Sequence, residues 1–124
     1  MPFISEEEFL NRFLDARDRE DPELKRAWKN LLLDAAYKGR TDFVRKLLER
    51  RSDIDAADEE TGMTALHIAV GRDHLELTRF LVERGASFVP DKQGRMPTTV
   101  AAECEVSEEL CDFIADAEAR AEGV

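Results

Sequence analysis

Apolar residues recur along this chain at helical spacing, broken by short polar stretches. Phe9 and Phe13, with Leu10 and Leu14 beside them, form the first stripe, and Ser5-Glu6-Glu7-Glu8 supplies a capping box ahead of it. Phe3 or Ile4 is placed to staple against Phe9, so a helix is predicted from about Glu6 to Arg17. Asp21-Pro22 is an N-cap followed by proline at the first helical position. Leu24, Ala27, Trp28, Leu31, Leu32 and Ala35 then follow one helical face, predicting a long helix toward Gly39. Thr41 or Asp42 opens the next helix, carrying Phe43, Val44, Leu47 and Leu48. Arg51 to Thr61 is polar and predicts a projecting connection. Further helices are predicted near Thr64 to Arg72 and His74 to Arg84. Lys92-Gln93-Gly94-Arg95 reads as a turn. Met96-Pro97 starts another helix, and Ser107-Glu108-Glu109 caps a last one through Leu110, Phe113, Ile114 and Ala117. The tail from Glu118 to Val124 is expected to fray.

These helices repeat in pairs. A step of 34 positions backward takes Leu66 to Leu32, Ala69 to Ala35, Leu77 to Phe43, Leu81 to Leu47, Val82 to Leu48 and Phe88 to Ile54. A step of 32 positions forward takes Gly62 to Gly94, Ala65 to Pro97, Ile68 to Val100 and Ala69 to Ala101, with Leu110, Phe113 and Ile114 following one residue out of register. A period of this length marks units that bury their faces only against neighbours.

The central copy reads Gly62-Met63-Thr64-Ala65-Leu66-His67-Ile68-Ala69 and ends on Gly85-Ala86. It resembles the Gly-x-Thr-Pro-Leu-His-x-Ala signature of ankyrin repeats. The resemblance implies an all-α fold, a short helical solenoid with finger turns, in which Thr64 opens a helix and Ala69 leaves room for the next repeat. On that basis the chain is a single domain over 1–124, with capping helices over 1–30, repeats over 31–57 and 58–90, and a third repeat with C-terminal cap over 91–124. Departures are visible. The first copy lacks the Gly-x-Thr turn and carries Arg51 where Gly85 ends the second; Asp73 and Thr98-Thr99 stand where glycine and Leu-His are usual. Asp58 to Gly62 is one residue longer than the usual turn, which predicts a wider fingertip.

Composition sharpens this picture. With 43% hydrophobic and 37% charged residues, the 124-residue chain has the balance of a folded, well-solvated domain. No apolar run reaches the length of a membrane span, and the N-terminus lacks the basic flank and apolar core of a secretory signal. A soluble, cytoplasmic protein is expected. Cys104 and Cys111 are too few for a disulfide framework and have no partners at zinc-finger spacing, so both are read as reduced. The net charge of −10 is uneven: Ala101 to Val124 holds eight acids against Arg120 alone. Such a field repels nucleic acid and anionic membranes and would attract a basic protein, although an acidic last helix also keeps the end of a solenoid soluble.

Candidate chemistry is thin. Thr64, His67 and Asp58 could be imagined as nucleophile, base and orienting acid, but the resemblance gives His67 and His74 structural roles, bonding to turns and neighbouring repeats. Glu59-Glu60 and Glu108-Glu109 are adjacent acids that point apart, unlike a glycosidase pair. No glycine-rich phosphate loop occurs. A non-catalytic protein-binding module is therefore expected, with no metal, no cofactor and no small-molecule substrate, monomeric when unbound. The alternative is a stoichiometric inhibitor, such as an immunity protein or antitoxin, neutralising a basic toxin or enzyme. The resemblance implies that partners meet the finger turns and the exposed positions of the inner helices, which line a concave face. Those positions are Tyr37, Lys38, Glu59, Glu60, Met63, Arg72, Lys92, Gln93, Arg95 and Glu103, with Gly71 and Cys104 beside them. Tyr37, Arg72 and Arg95 are the residue types that most often anchor interfaces.

Overall fold

A computed structural model describes residues 22–50 and 53–122. Among them are six helices: α1 (Pro22–Lys38), α2 (Thr41–Glu49), α3 (Ala65–Gly71), α4 (Leu75–Glu83), α5 (Pro97–Glu103) and α6 (Glu108–Ala121). They stack as three pairs. Helices α1, α3 and α5 lie side by side as an inner layer, and α2, α4 and α6 form the outer one. The predicted helix from Glu6 to Arg17, the N-terminal cap it would build, and Arg51 all lie outside the described residues.

The stack is possible because one position in each inner helix is alanine. Ala35, Ala69 and Ala101 are 2%, 0% and 2% exposed, so backbones meet closely where longer side chains would hold them apart. Leu32, Leu47, Leu66, Leu77, Leu81, Leu110 and Ile114 fill the space between the layers.

Each inner helix leaves its last turn by the same route. The backbone N–H of Arg40 donates to Ala35 (3.0 Å), His74 to Ala69 (2.9 Å) and Val106 to Ala101 (3.4 Å). This bond closes the helix only if the residue before the donor is left-handed. Gly39 (φ 70°), Asp73 (φ 60°) and Glu105 (φ 52°) all adopt that conformation, two of them without glycine's freedom. Asp73 has compensation, since its Oδ1 accepts from the Ser107 backbone N–H (3.1 Å) and hydroxyl (2.8 Å) of the next repeat. Asp55 ties Ser87 in a similar way, at 2.8 Å for both bonds.

Two expectations are corrected. Ala27 is exposed although it lies on the predicted apolar stripe. The last helix does not fray at Glu118. It continues to Ala121, with the Thr98 hydroxyl donating to Glu118 Oε2 at 2.7 Å and Arg120 paired with Asp116 at 2.7 Å. Thr98, the polar substitute for leucine in the third copy, thus gains a use that a leucine could not serve.

Candidate functional site

Two turns lead into the inner helices α3 and α5. In the first, Asp58 Oδ2 accepts the backbone N–H groups of Glu60 (3.2 Å) and Thr61 (2.9 Å) and the Thr61 hydroxyl (3.0 Å). These bonds hold the Asp58 carboxyl below its ordinary value, the Thr61 backbone bond contributing most. Gly62 closes the turn by donating to the Asp58 carbonyl four residues back, at 2.8 Å; in the second turn Gly94 donates to Asp91 three residues back, at 3.0 Å. The first turn is therefore the wider one, as its extra residue predicts.

The two turns are joined. The Lys92 N–H donates to the Thr61 carbonyl (2.9 Å), and its ammonium reaches the Glu59 carbonyl. A Cβ on Gly62, which has φ 73°, would lie 2.7 Å from the Lys92 nitrogen, so only glycine allows this approach.

His67 locks α3 to the second turn. Its Nδ1 accepts from the Thr64 backbone N–H at 3.2 Å while the Thr64 hydroxyl caps the His67 N–H. Nδ1 being the acceptor, Nε2 carries the proton and donates to the Arg95 carbonyl at 2.9 Å. The ring is fully buried. Thr64, His67 and Asp58 are thus each committed to backbone partners, and no substrate could reach the imidazole.

The second turn is built on Asp91, which is 6% exposed. Its Oδ1 accepts from the Gln93 and Arg95 backbone N–H groups, and its Oδ2 from Arg95 Nε, all at 2.9 Å. Burial opposes the charge on Asp91, but the bonds from Arg95 and Gln93 outweigh it and hold the carboxyl below its ordinary value. Arg95 reaches on to Glu103 Oε2 (3.2 Å), and Glu103 and then Asp91 raise its already high value further. Two of the predicted surface residues, Arg95 and Glu103, are therefore paired with each other, and Arg95 is a support for the turn rather than an open anchor. Asp91 was not singled out in the sequence, although it stands 33 positions after Asp58 and the repeat would have found it.

Other predicted residues divide clearly. Glu59 is bound from α1 by Lys29 Nζ (3.3 Å) and Arg26 Nε (3.5 Å), neither of which the sequence reading had included. Lys29 chiefly, with Arg26, lowers the Glu59 carboxyl. Lys38 pairs with Asp34 at 3.0 Å on its own helix. Glu60 and Gln93 are exposed, and Met63 is half-buried. Tyr37 and Arg72 come together: the Arg72 guanidinium carbon lies 4.3 Å from the centre of the Tyr37 ring, across the boundary between the first two helix pairs. Tyr37 is nonetheless 51% exposed. Cys104 is exposed and Cys111 half-buried, and both are free thiols.

The outer face offers less. A shallow depression of about 360 Å³ between α2 and α4 is lined by Thr41, Arg45, Leu75, Arg79 and Phe80. Its cations are already engaged, Arg45 by Asp42 and the Phe80 ring and Arg79 by Glu109 and the Phe113 ring. Among the described residues, no group of acids, histidines and cysteines could hold a metal ion, and no helix is long and apolar enough to cross a membrane.

Comparison with known proteins bears on the same region. A family model described as ankyrin repeats in three copies matches residues 32–122. An ankyrin repeat-containing protein of Schizosaccharomyces pombe is 39% identical over 77 residues, covering 61% of this chain and 37% of that protein. The RelA-associated inhibitor of Mus musculus is 39% identical over 75 residues, 60% of this chain and 9% of its own length. The mitochondrial liver isoform of glutaminase from Mus musculus is 35% identical over 88 residues, 69% of this chain and 14% of the enzyme. The chain thus spans little more than a third of the first of these relatives and far less of the others.

Proposed function

Since the chain belongs to the ankyrin-repeat family, a family of protein-interaction modules, we propose that it is a non-catalytic binding module that grips a protein partner on its inner face. The observation that carries this reading is the state of that face. Its turns are cross-tied through Lys92, Thr61 and Glu59, so the surface is rigid before any partner arrives, while Tyr37, Glu60 and Gln93 remain exposed on it. A preorganised surface loses little entropy on docking, and a few anchors then suffice for useful affinity. The reading includes a cytoplasmic protein, monomeric when alone, that needs no cofactor.

Crosslinking and affinity capture with the full chain would identify the partner. The double substitution Tyr37→Ala and Gln93→Ala should then weaken binding by about tenfold or more, with thermal unfolding nearly unchanged. Unchanged affinity would reject the inner face as the docking surface.

A second reading, that the bound partner is thereby held inactive, is favoured by the acids of the last repeat. Glu103, Glu105, Glu108, Glu109, Asp112, Asp116 and Glu122 are all exposed, which suits a basic toxin or enzyme. A relative whose own name is that of an inhibitor is compatible with it. Association that slows steeply with added salt would support this reading, and salt-insensitive association would exclude it.

A further inference from the structure

We infer that Arg72, stacked on Tyr37, is the subsite that takes a carboxylate side chain from the bound partner. The inference rests on the inner-face reading and adds the chemistry of its anchor. Most cations of that face are already spent: Arg26 and Lys29 on Glu59, Lys38 on Asp34, Arg95 on Asp91 and Glu103, Lys92 on a carbonyl. Arg72 differs. Its guanidinium lies over the Tyr37 ring, and among the described residues no carboxylate pairs with it.

Stacking fixes the plane of a guanidinium while leaving its N–H edge unused, and that edge presents parallel donors. Such an edge matches a planar carboxylate, which it binds through two hydrogen bonds at little further cost in side-chain entropy. The exposed remainder of the Tyr37 ring, adjoining the cation, suits an apolar residue next to the partner's acid. A phosphate is the poorer occupant: it brings nearly two negative charges to one arginine in a chain whose net charge is −10. A carboxylate brings one. The acidic surface of α6 sets the overall charge of a suitable partner, and Arg72 sets one local exception to it.

The test uses a random linear-peptide library displayed on phage and selected on the full chain. Enrichment of peptides with Asp or Glu beside an apolar residue is expected. Exchange of that acid for Asn or Gln should lower affinity by about tenfold, and in Arg72→Gln the acid and its amide should bind equally. Arg72→Lys should restore only part of the preference, because it keeps the charge and loses the fork. Matching melting curves of the variants would show that folding is not the cause. Selected peptides that lack an acid, or whose preference for it survives Arg72→Gln, would overturn the inference, as would failure to enrich any peptide. If such peptides are displaced by Tyr37→Ala and Gln93→Ala, the inner-face reading survives that loss. Peptides displaced only by substitutions at Arg45 and Arg79 would end both.

Discussion

Gly39 lies against the His74 imidazole so closely that a Cβ built on the glycine would sit 2.6 Å from Nδ1. The ring cannot swing aside without loss, since its Nε2 donates to the Tyr37 carbonyl at 2.9 Å, in the preceding repeat. Gly39 also has φ 70°. Gly39→Ala therefore combines a left-handed alanine, disfavoured by about 1 kcal/mol, with a clash at a tethered ring. A loss of about 2 kcal/mol or more is expected in urea unfolding. A midpoint equal to that of the wild type would show that the two repeats do not meet there.

Glu105 offers the opposite experiment. It is left-handed at φ 52°, and among the described residues no hydrogen bond of its carboxylate offsets the strain. Glu105→Gly should stabilise the protein by about 0.5–1 kcal/mol. Asp73→Gly, at the matching exit with φ 60°, should gain much less, because it surrenders both bonds to Ser107. Equal gains at the two sites would mean that the Asp73–Ser107 tie contributes nothing.

Leu66 is enclosed between the layers. Leu66→Ala should cost about 2–5 kcal/mol through lost burial and the cavity left behind. An unchanged thermal midpoint would place Leu66 outside the core.

Asp91 sets a dependence on acid. Its carboxyl is held below the ordinary value in the folded chain, so the unfolded chain binds the proton more readily. The stability this charge contributes is complete above about pH 4, the unfolded value, and is lost as pH falls through the lower folded one. The difference in thermal midpoint between wild type and Asp91→Asn should be largest near neutrality and shrink in acid. A constant difference would exclude this role for the charge.

Arg95→Ala removes a side chain expected on the partner-binding face. Because Arg95 supports buried Asp91 through Nε at 2.9 Å, the substitution is expected to lower the melting temperature as well. Melting curves of Arg95→Ala and Arg72→Ala, compared side by side, would separate the supporting arginine from the exposed one.

The sequence by itself determined the architecture, because helix starts, exits and the repeat are local or periodic signals. Pro22, Thr64, Pro97 and Ser107 open helices where the pattern places them, and alanine at 35, 69 and 101 marks the line along which inner helices touch. Even the wider first turn followed from one extra residue. The positions expected on the inner face were drawn from the same register, carried from repeat to repeat.

What those positions do was decided only by the tertiary structure. Arg72 and Arg95 look alike in sequence, yet one stacks on Tyr37 from the neighbouring repeat and the other is consumed by Asp91 and Glu103. Glu59 is claimed by Arg26 and Lys29 from some 30 residues away. A side chain's partners depend on which surfaces the stacked repeats bring within a few ångströms, and periodicity along one chain carries no record of that distance. Ala27 shows the same limit: its place on a stripe was readable, but its exposure depends on what packs beside it.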